Sequence, residues 1–143
     1  MTAVNHQTYL YVGLGGEGDN IGEGGLYRRA EGDDQWQNIA KGLPESPQVR
    51  ALLVNPENPA IIYAGTQAGP YRSDDRGDHW EALDASKTDV WSLAFHPNDP
   101  NTVYAGYEPC AVHRSLDGGG NWQKMDTDKV VFPHITTYMP PLG

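Results

Sequence analysis

Residues 49–83, VRALLVNPENPAIIYAGTQAGPYRSDDRGDHWEAL, are written again in altered form at 90–125, VWSLAFHPNDPNTVYAGYEPCAVHRSLDGGGNWQKM. Leu52 meets Leu93, Pro56 meets Pro97, Pro59 meets Pro100, and Tyr63-Ala64-Gly65 meets Tyr104-Ala105-Gly106. One extra residue after the second YAG brings SDDRGDHW (73–80) and SLDGGGNW (115–122) into register. An earlier copy is incomplete: YLYVG (9–13) stands for IIYAG, and GGLYRRAEGDDQW (24–36) for AGPYRSDDRGDHW. Its acidic octet is degraded, with Arg29 in place of serine, Glu31 of aspartate and Asp33 of glycine, but Trp36 is kept. The tryptophans Trp36, Trp80 and Trp122 thus fall 44 and 42 residues apart. A last fragment, VVFPHITTYMPP (130–141), is parallel to VRALLVNP and VWSLAFHP. A period of this size constrains the fold more than any single motif, because each unit must bury its apolar face on a neighbour.

Each full unit reads as short strands. VRALLVN or VWSLAFH is strand A, AIIYAG or TVYAG strand B, and PYRS or VHRS strand C, while strand D begins at the tryptophan. NPENPA and HPNDPN read as proline-punctuated turns between A and B. No segment has a convincing helical period. The expected fold is all-β, with propeller blades of four antiparallel strands and about three blades per chain. The expected division is an incomplete B-C-D blade at 1–47, full blades at 48–88 and 89–128, and the start of another at 129–143. Closed propellers take about four to eight blades. The chain is therefore expected to be a segment of a longer propeller, an open arc, or half of a six-bladed ring closed by a homodimer. In that ring each terminal A strand would complete the partner's first blade, the favoured arrangement on grounds of unpaired edges.

The acidic octets invite three explanations. As a turn device, Ser73 and Asp75, or Ser115 and Asp117, accept hydrogen bonds from N–H groups that a hairpin leaves unpaired. Gly77 and Gly119 supply the positive φ, and Trp80 and Trp122 cover the seam between sheets. As a calcium loop the spacing fails, since neither copy follows D-x-[DN]-x-[DN]-G with a distal glutamate. As a catalytic pair the location fails, since the octet recurs once per unit. The structural reading is therefore adopted, with no metal and no cofactor expected.

SDDRGDHW and SLDGGGNW resemble Asp-boxes, the bacterial neuraminidase repeats (BNR) of sialidases, Vps10-type receptors, xyloglucanase-type glycosidases and Ycf48-like photosystem assembly factors. LxxxPxxPxxxYAG followed by RSxDxGxxW is most similar to the xyloglucanase-type and Ycf48-like blades. The resemblance runs over residues 9–139 and implies a propeller with the boxes on its outer rim, away from the channel mouth where ligands bind. It does not carry over the sialidase arginine triad: Arg28, Arg72 and Arg114 sit on C strands, and of the predicted inner strands only the first carries an arginine, Arg50.

Composition narrows the function. The net charge of −9, from 19 acidic and 10 basic residues without a basic cluster, repels nucleic acid and anionic lipid. No apolar run is long enough to insert in a membrane. Cys110 is the single cysteine, which excludes an internal disulfide or a cysteine-based zinc site. MTAVNHQTYL shows no signal peptide, so the expected compartment is the cytoplasm by default.

Ligands of propellers sit in the funnel lined by A strands and nearby loops. The candidate binding residues there are Arg50, Trp91, Phe132 and His134, and the candidate catalytic acids are Glu108 and Asp89, with Glu17 and Asp19 in the long first B–C loop behind them. His79, His96 and His113 have no partner at metal-ligand spacing. Two function classes follow. The favoured one is a noncatalytic binding or assembly scaffold for protein or glycan. The other is a glycosidase, or part of one, using two carboxylates about 5 to 10 Å apart.

Overall fold

The computed structural model describes residues 7–16, 24–83 and 87–127. These residues form eleven strands and no helix: β1 (Tyr9–Leu14), β2 (Gly25–Ala30), β3 (Gln37–Asn38), β4 (Ala51–Val54), β5 (Ile62–Thr66), β6 (Gly69–Ser73), β7 (Glu81–Ala82), β8 (Val90–His96), β9 (Asp99–Tyr107), β10 (Ala111–Ser115) and β11 (Gln123–Lys124). They pair in chain order into three antiparallel sheets, β1-β2-β3, β4-β5-β6-β7 and β8-β9-β10-β11. The protein is an all-β partial propeller, and the sheets are its blades. The first sheet has three strands and opens on the B position, with β1 at its edge.

Two local differences from the sequence pattern have physical causes. The tryptophans precede the D strands rather than opening them, and each D strand is only two residues long. HPNDPN does not span a long turn: β8 and β9 are joined at Pro97-Asn98, and Pro100 lies within β9. The ladder passes from His96↔Asp99 to Phe95↔Val103, so Pro100 sits in a bulge. A bulge is where a residue without an N–H fits a strand.

The blades pack through the B strand of one and the A strand of the next. A Cβ on Gly13 would lie 2.6 Å from Val49 Cγ1, and one on Gly65 would lie 2.7 Å from Val90 Cγ1. The glycine of YVG and of YAG is therefore the gap that admits the following blade's valine. Between the first two blades the core is Leu26, Ile39, Val49, Ile62, Ala64 and Trp80, and a second cluster gathers Val90, Ala105 and Tyr107 with Trp122 against it. Trp80 is 4% exposed, its indole N–H donating to the Ile39 carbonyl at 2.8 Å and its backbone N–H to Lys41 at 3.0 Å. Trp36 has no blade ahead of it among the described residues and is 45% exposed, stacked only under Arg29. The same residue at the same register is core or surface according to its neighbour.

Gly65→Val tests the seam. The added side chain collides with buried Val90, and overpacking of this kind costs about 1–3 kcal/mol. A lowered midpoint in urea with unchanged slope is the expected result, and an unchanged midpoint would refute the packing argument.

Candidate functional site

In an up-and-down sheet the A–B turns and C–D turns gather at one end, and the B–C loops and D–A links at the other. The acidic octets occupy the first end. Ser73 Oγ donates to Asp75 Oδ1 at 2.8 Å and accepts from Gly77 N–H at 2.8 Å, while Asp75 Oδ1 also accepts from His79 N–H at 2.9 Å. The second octet repeats each bond: Ser115 Oγ to Asp117 Oδ1 at 2.8 Å, Gly119 N–H to Ser115 at 2.8 Å, and Asn121 N–H to Asp117 at 2.9 Å. The outer carboxylate oxygen meets the His79 ring nitrogen at 2.7 Å in one and the Asn121 amide at 2.6 Å in the other. Those donors, the side chains of His79 and Asn121 first, hold the carboxyl groups of Asp75 and Asp117 down at about 2. A neutral amide does this as well as an imidazole, so donors matter here rather than a charged partner.

The turn chemistry also builds the joint between blades, a role the sequence alone did not disclose. Arg76 and Gly118 occupy one register position and both have positive φ, 61° and 72°. Each sends its N–H back to the start of its own B strand, Arg76 to Ala60 at 3.0 Å and Gly118 to Asn101 at 2.8 Å. Its carbonyl turns outward to the preceding blade. Tyr63 O–H and Arg72 Nη1 both donate to the Gly118 carbonyl at 2.8 Å. Tyr11 O–H and Arg28 Nη1 donate to the Arg76 carbonyl at 3.3 and 2.9 Å, and Arg28 also pairs with Asp78 at 2.9 Å. Burial raises the Tyr63 hydroxyl above its ordinary range, with Arg72 opposing. The next glycine, Gly77 (φ 94°) or Gly119 (φ 104°), presses on Ile39 or Leu83 of the blade before, where a Cβ would come within 2.6 or 2.7 Å. The signal for this clamp was the recurrence of Tyr11, Tyr63 and Tyr104, and of Arg28, Arg72 and Arg114, at equivalent positions of the repeat, since a reactive group would not recur once per blade.

The other end gathers four of the candidate residues. Arg50 precedes β4, Asp89 and Trp91 flank the start of β8, and Glu108 follows β9. The Arg50 guanidinium carbon lies 4.3 Å from the Trp91 ring centroid, and Arg50 Nη1 lies 3.1 Å from Asp89 Oδ2. The Trp91 indole N–H donates to Glu108 Oε2 at 2.8 Å, and Glu108 N–H to the Asp89 carbonyl at 3.0 Å. Trp91 remains 49% exposed. Gly15, of the first B–C loop, borders the Arg50 side chain, and Gly16 N–H bonds to buried Gln48. Phe132, His134, Glu17 and Asp19 lie outside the described residues. Among the described residues no group of three or more His, Cys, Asp or Glu is placed to hold a metal ion. His96 accepts a turn N–H from Asn98, and His113 packs on the Tyr107 ring at 4.6 Å. Cys110 is exposed. No described helix is long and apolar enough to cross a membrane.

No family model matches the chain. A vacuolar protein sorting/targeting protein 10 of Chaetomium globosum is 29% identical over 97 residues, which are 66% of this chain and 6% of that protein. Among solved structures, an ancestral GH74 enzyme superposes with a TM-score of 0.61 at 24% identity over 71% of this chain and 15% of its own. The Niastella koreensis GH74 enzyme gives 0.62 at 18% identity, covering 83% and 21%. YCF48 bound to D1 peptide gives 0.58 at 15% identity, covering 83% and 36%. These neighbours are β-propeller proteins and share the fold. The chain spans about a third or less of the length of each of these relatives.

The clamp and the acidic octet make separate predictions. Arg72→Met removes the charged donor to Gly118 and is expected to destabilise the protein by about 1.5–3 kcal/mol. Arg29→Met, which loses only its stack on exposed Trp36, is expected to change little in the same denaturation experiment. The Asp75 and Asp117 carboxyls sit below their ordinary 3.8, so their contribution is complete above that value and lost as pH falls toward about 2. The melting temperature of the wild type should fall over this window, and Asp75→Asn combined with Asp117→Asn should flatten the fall.

Proposed function

We propose that this chain is a noncatalytic Asp-box (BNR, sialidase-like) propeller module that binds a partner at the end carrying Arg50 and Trp91, opposite the boxes. One observation carries the reading. Both candidate acids there are occupied, Asp89 by Arg50 and Glu108 by the Trp91 indole, while the aromatic ring itself remains open. Acids engaged in this way orient a tryptophan. A hydrolase needs one of them as a proton donor and the other facing it across a sugar. An exposed tryptophan held by an arginine and a carboxylate is the composition of a binding anchor, for a peptide or for the face of a sugar ring. The peptide is favoured, because a fold neighbour, YCF48, was solved with D1 peptide bound. The module works as a scaffold presented by a closed ring, in which two copies supply six blades.

The alternative is a piece of a glycoside hydrolase, favoured by the GH74 fold neighbours. A peptide library and a glycan array, each probed with wild type and Trp91→Ala, separate the readings. Loss of about 2 kcal/mol, roughly thirtyfold in affinity, is expected for Trp91→Ala on its ligand, with the melting temperature unchanged. Turnover of a chromogenic glycoside that Glu108→Gln abolishes would establish the hydrolase instead.

A further inference from the structure

Three cross-strand pairs occupy one register position in the three blades: Tyr11↔Arg28, Tyr63↔Arg72 and Tyr104↔Arg114. The first two grip the carbonyl of the next blade's turn. The third grips nothing among the described residues. Arg114 Nε, like Arg28 Nε, is buried without a partner. The surrounding surface tells the same story. Arg72, Asp74, Asp75, His79 and Glu81 form one wall of a cleft whose other wall is Asp117, Gly118 and Gly120 of the next blade. One blade on, Arg114, Leu116, Asp117, Asn121 and Gln123 line a cleft of roughly 220 Å³ at the same five positions, with no blade opposite among the described residues. Leu116 is 63% exposed there.

The missing wall has a match at the other end of the protein. In the turn of the first blade Gly32 stands at the register of Arg76 and Gly118 and has the same left-handed backbone, φ 82°. Its Cβ position is open. Asp34 stands where Asp78 stands, the residue that pairs with Arg28, and it is exposed. The face behind this turn is apolar and partly exposed: Leu10, Val12 and Leu14 are 46, 40 and 42% exposed. Their counterparts in the second blade, Ile62, Ala64 and Thr66, are fully buried. The first turn differs in its bonding: Arg29, Glu31 and Asp33 replace the octet's serine, aspartate and glycine, and Glu31 rather than Gly32 sends its N–H back to the B strand, to Thr8 at 2.8 Å. That hairpin thus carries Gly32 and Asp34 exposed, in place of a glycine pressed on a neighbouring blade.

We propose that Tyr104 and Arg114 of one copy clamp the Gly32 carbonyl and Asp34 carboxylate of a second copy. The contact is head to tail, and a heterologous contact of this kind closes into a ring when its rotation allows. It rests on the two-copy ring proposed above and names the surface that closes it. In such a pair each copy offers one clamp and receives one, so both joints are identical.

Light scattering of the full chain at micromolar concentration tests it. The wild type should have twice the 15.7 kDa chain mass. Arg114→Glu places like charges at both joints and should be monomeric, as should Asp34→Arg. An equimolar mixture of these two monomers restores opposite charges at both joints and should form the dimer again. Should a charge reversal fail to fold, Arg114→Gln and Asp34→Asn decide the matter, each expected to weaken association at least tenfold. A monomeric wild type would overturn the ring and the clamp together. A dimer indifferent to all of these substitutions would overturn the clamp and leave the ring standing.

Discussion

One carbonyl group per blade organises this protein. It belongs to a residue in the left-handed region, Arg76 or Gly118, and faces a tyrosine hydroxyl and an arginine of the preceding blade. Glycine adopts that conformation freely, but at Arg76 a side chain makes it costly. The serine and aspartate of the octet brace it, Ser73 by accepting from the Gly77 N–H and Asp75 by accepting from the His79 N–H. The carboxylate must be ionised to accept so many donors, and its depressed pKa is the signature of that arrangement. What looks like a loop motif is therefore the part that transmits geometry from one sheet to the next.

Around this joint the apolar contacts fall into place. The octet glycine lets the turn lie on Ile39 or Leu83, and the strand glycine admits Val49 or Val90. Trp80 closes the same seam from the side, bonded to the segment after β3. Each of these is an approach between backbone and side chain too close for a Cβ. A blade thus buries its face on a neighbour shaped to receive it, which is the general condition for stability in repeat folds.

The antiparallel order of the strands divides the two ends of the blades. The acidic octets and A–B turns lie at one end, where the octet turns join the blades. The B–C loops and D–A links lie at the other, where Arg50, Asp89, Trp91 and Glu108 meet from separate elements. A surface freed from structural duty is the one on which binding residues can vary.

The repeat made most of the fold legible before any coordinates. Tyr63-Ala64-Gly65 against Tyr104-Ala105-Gly106, and one octet against the other, determine the strand order and locate the turns, because period and register are properties of the chain itself. Serine, aspartate and glycine at those offsets specify a self-bonded hairpin through short-range chemistry alone. Tertiary structure decided what the sequence could not. Trp36 and Trp80 share a register, yet one is surface and one is core, since burial depends on which blade lies opposite. Arg28 and Arg72 are ordinary strand arginines until the next blade's carbonyl arrives within reach. Arg50 and Trp91 stand far apart in the chain and stack only because neighbouring A strands pack side by side. Local hydrogen bonding is written in consecutive residues, whereas contact between blades is set by the closing of loops across forty residues and more.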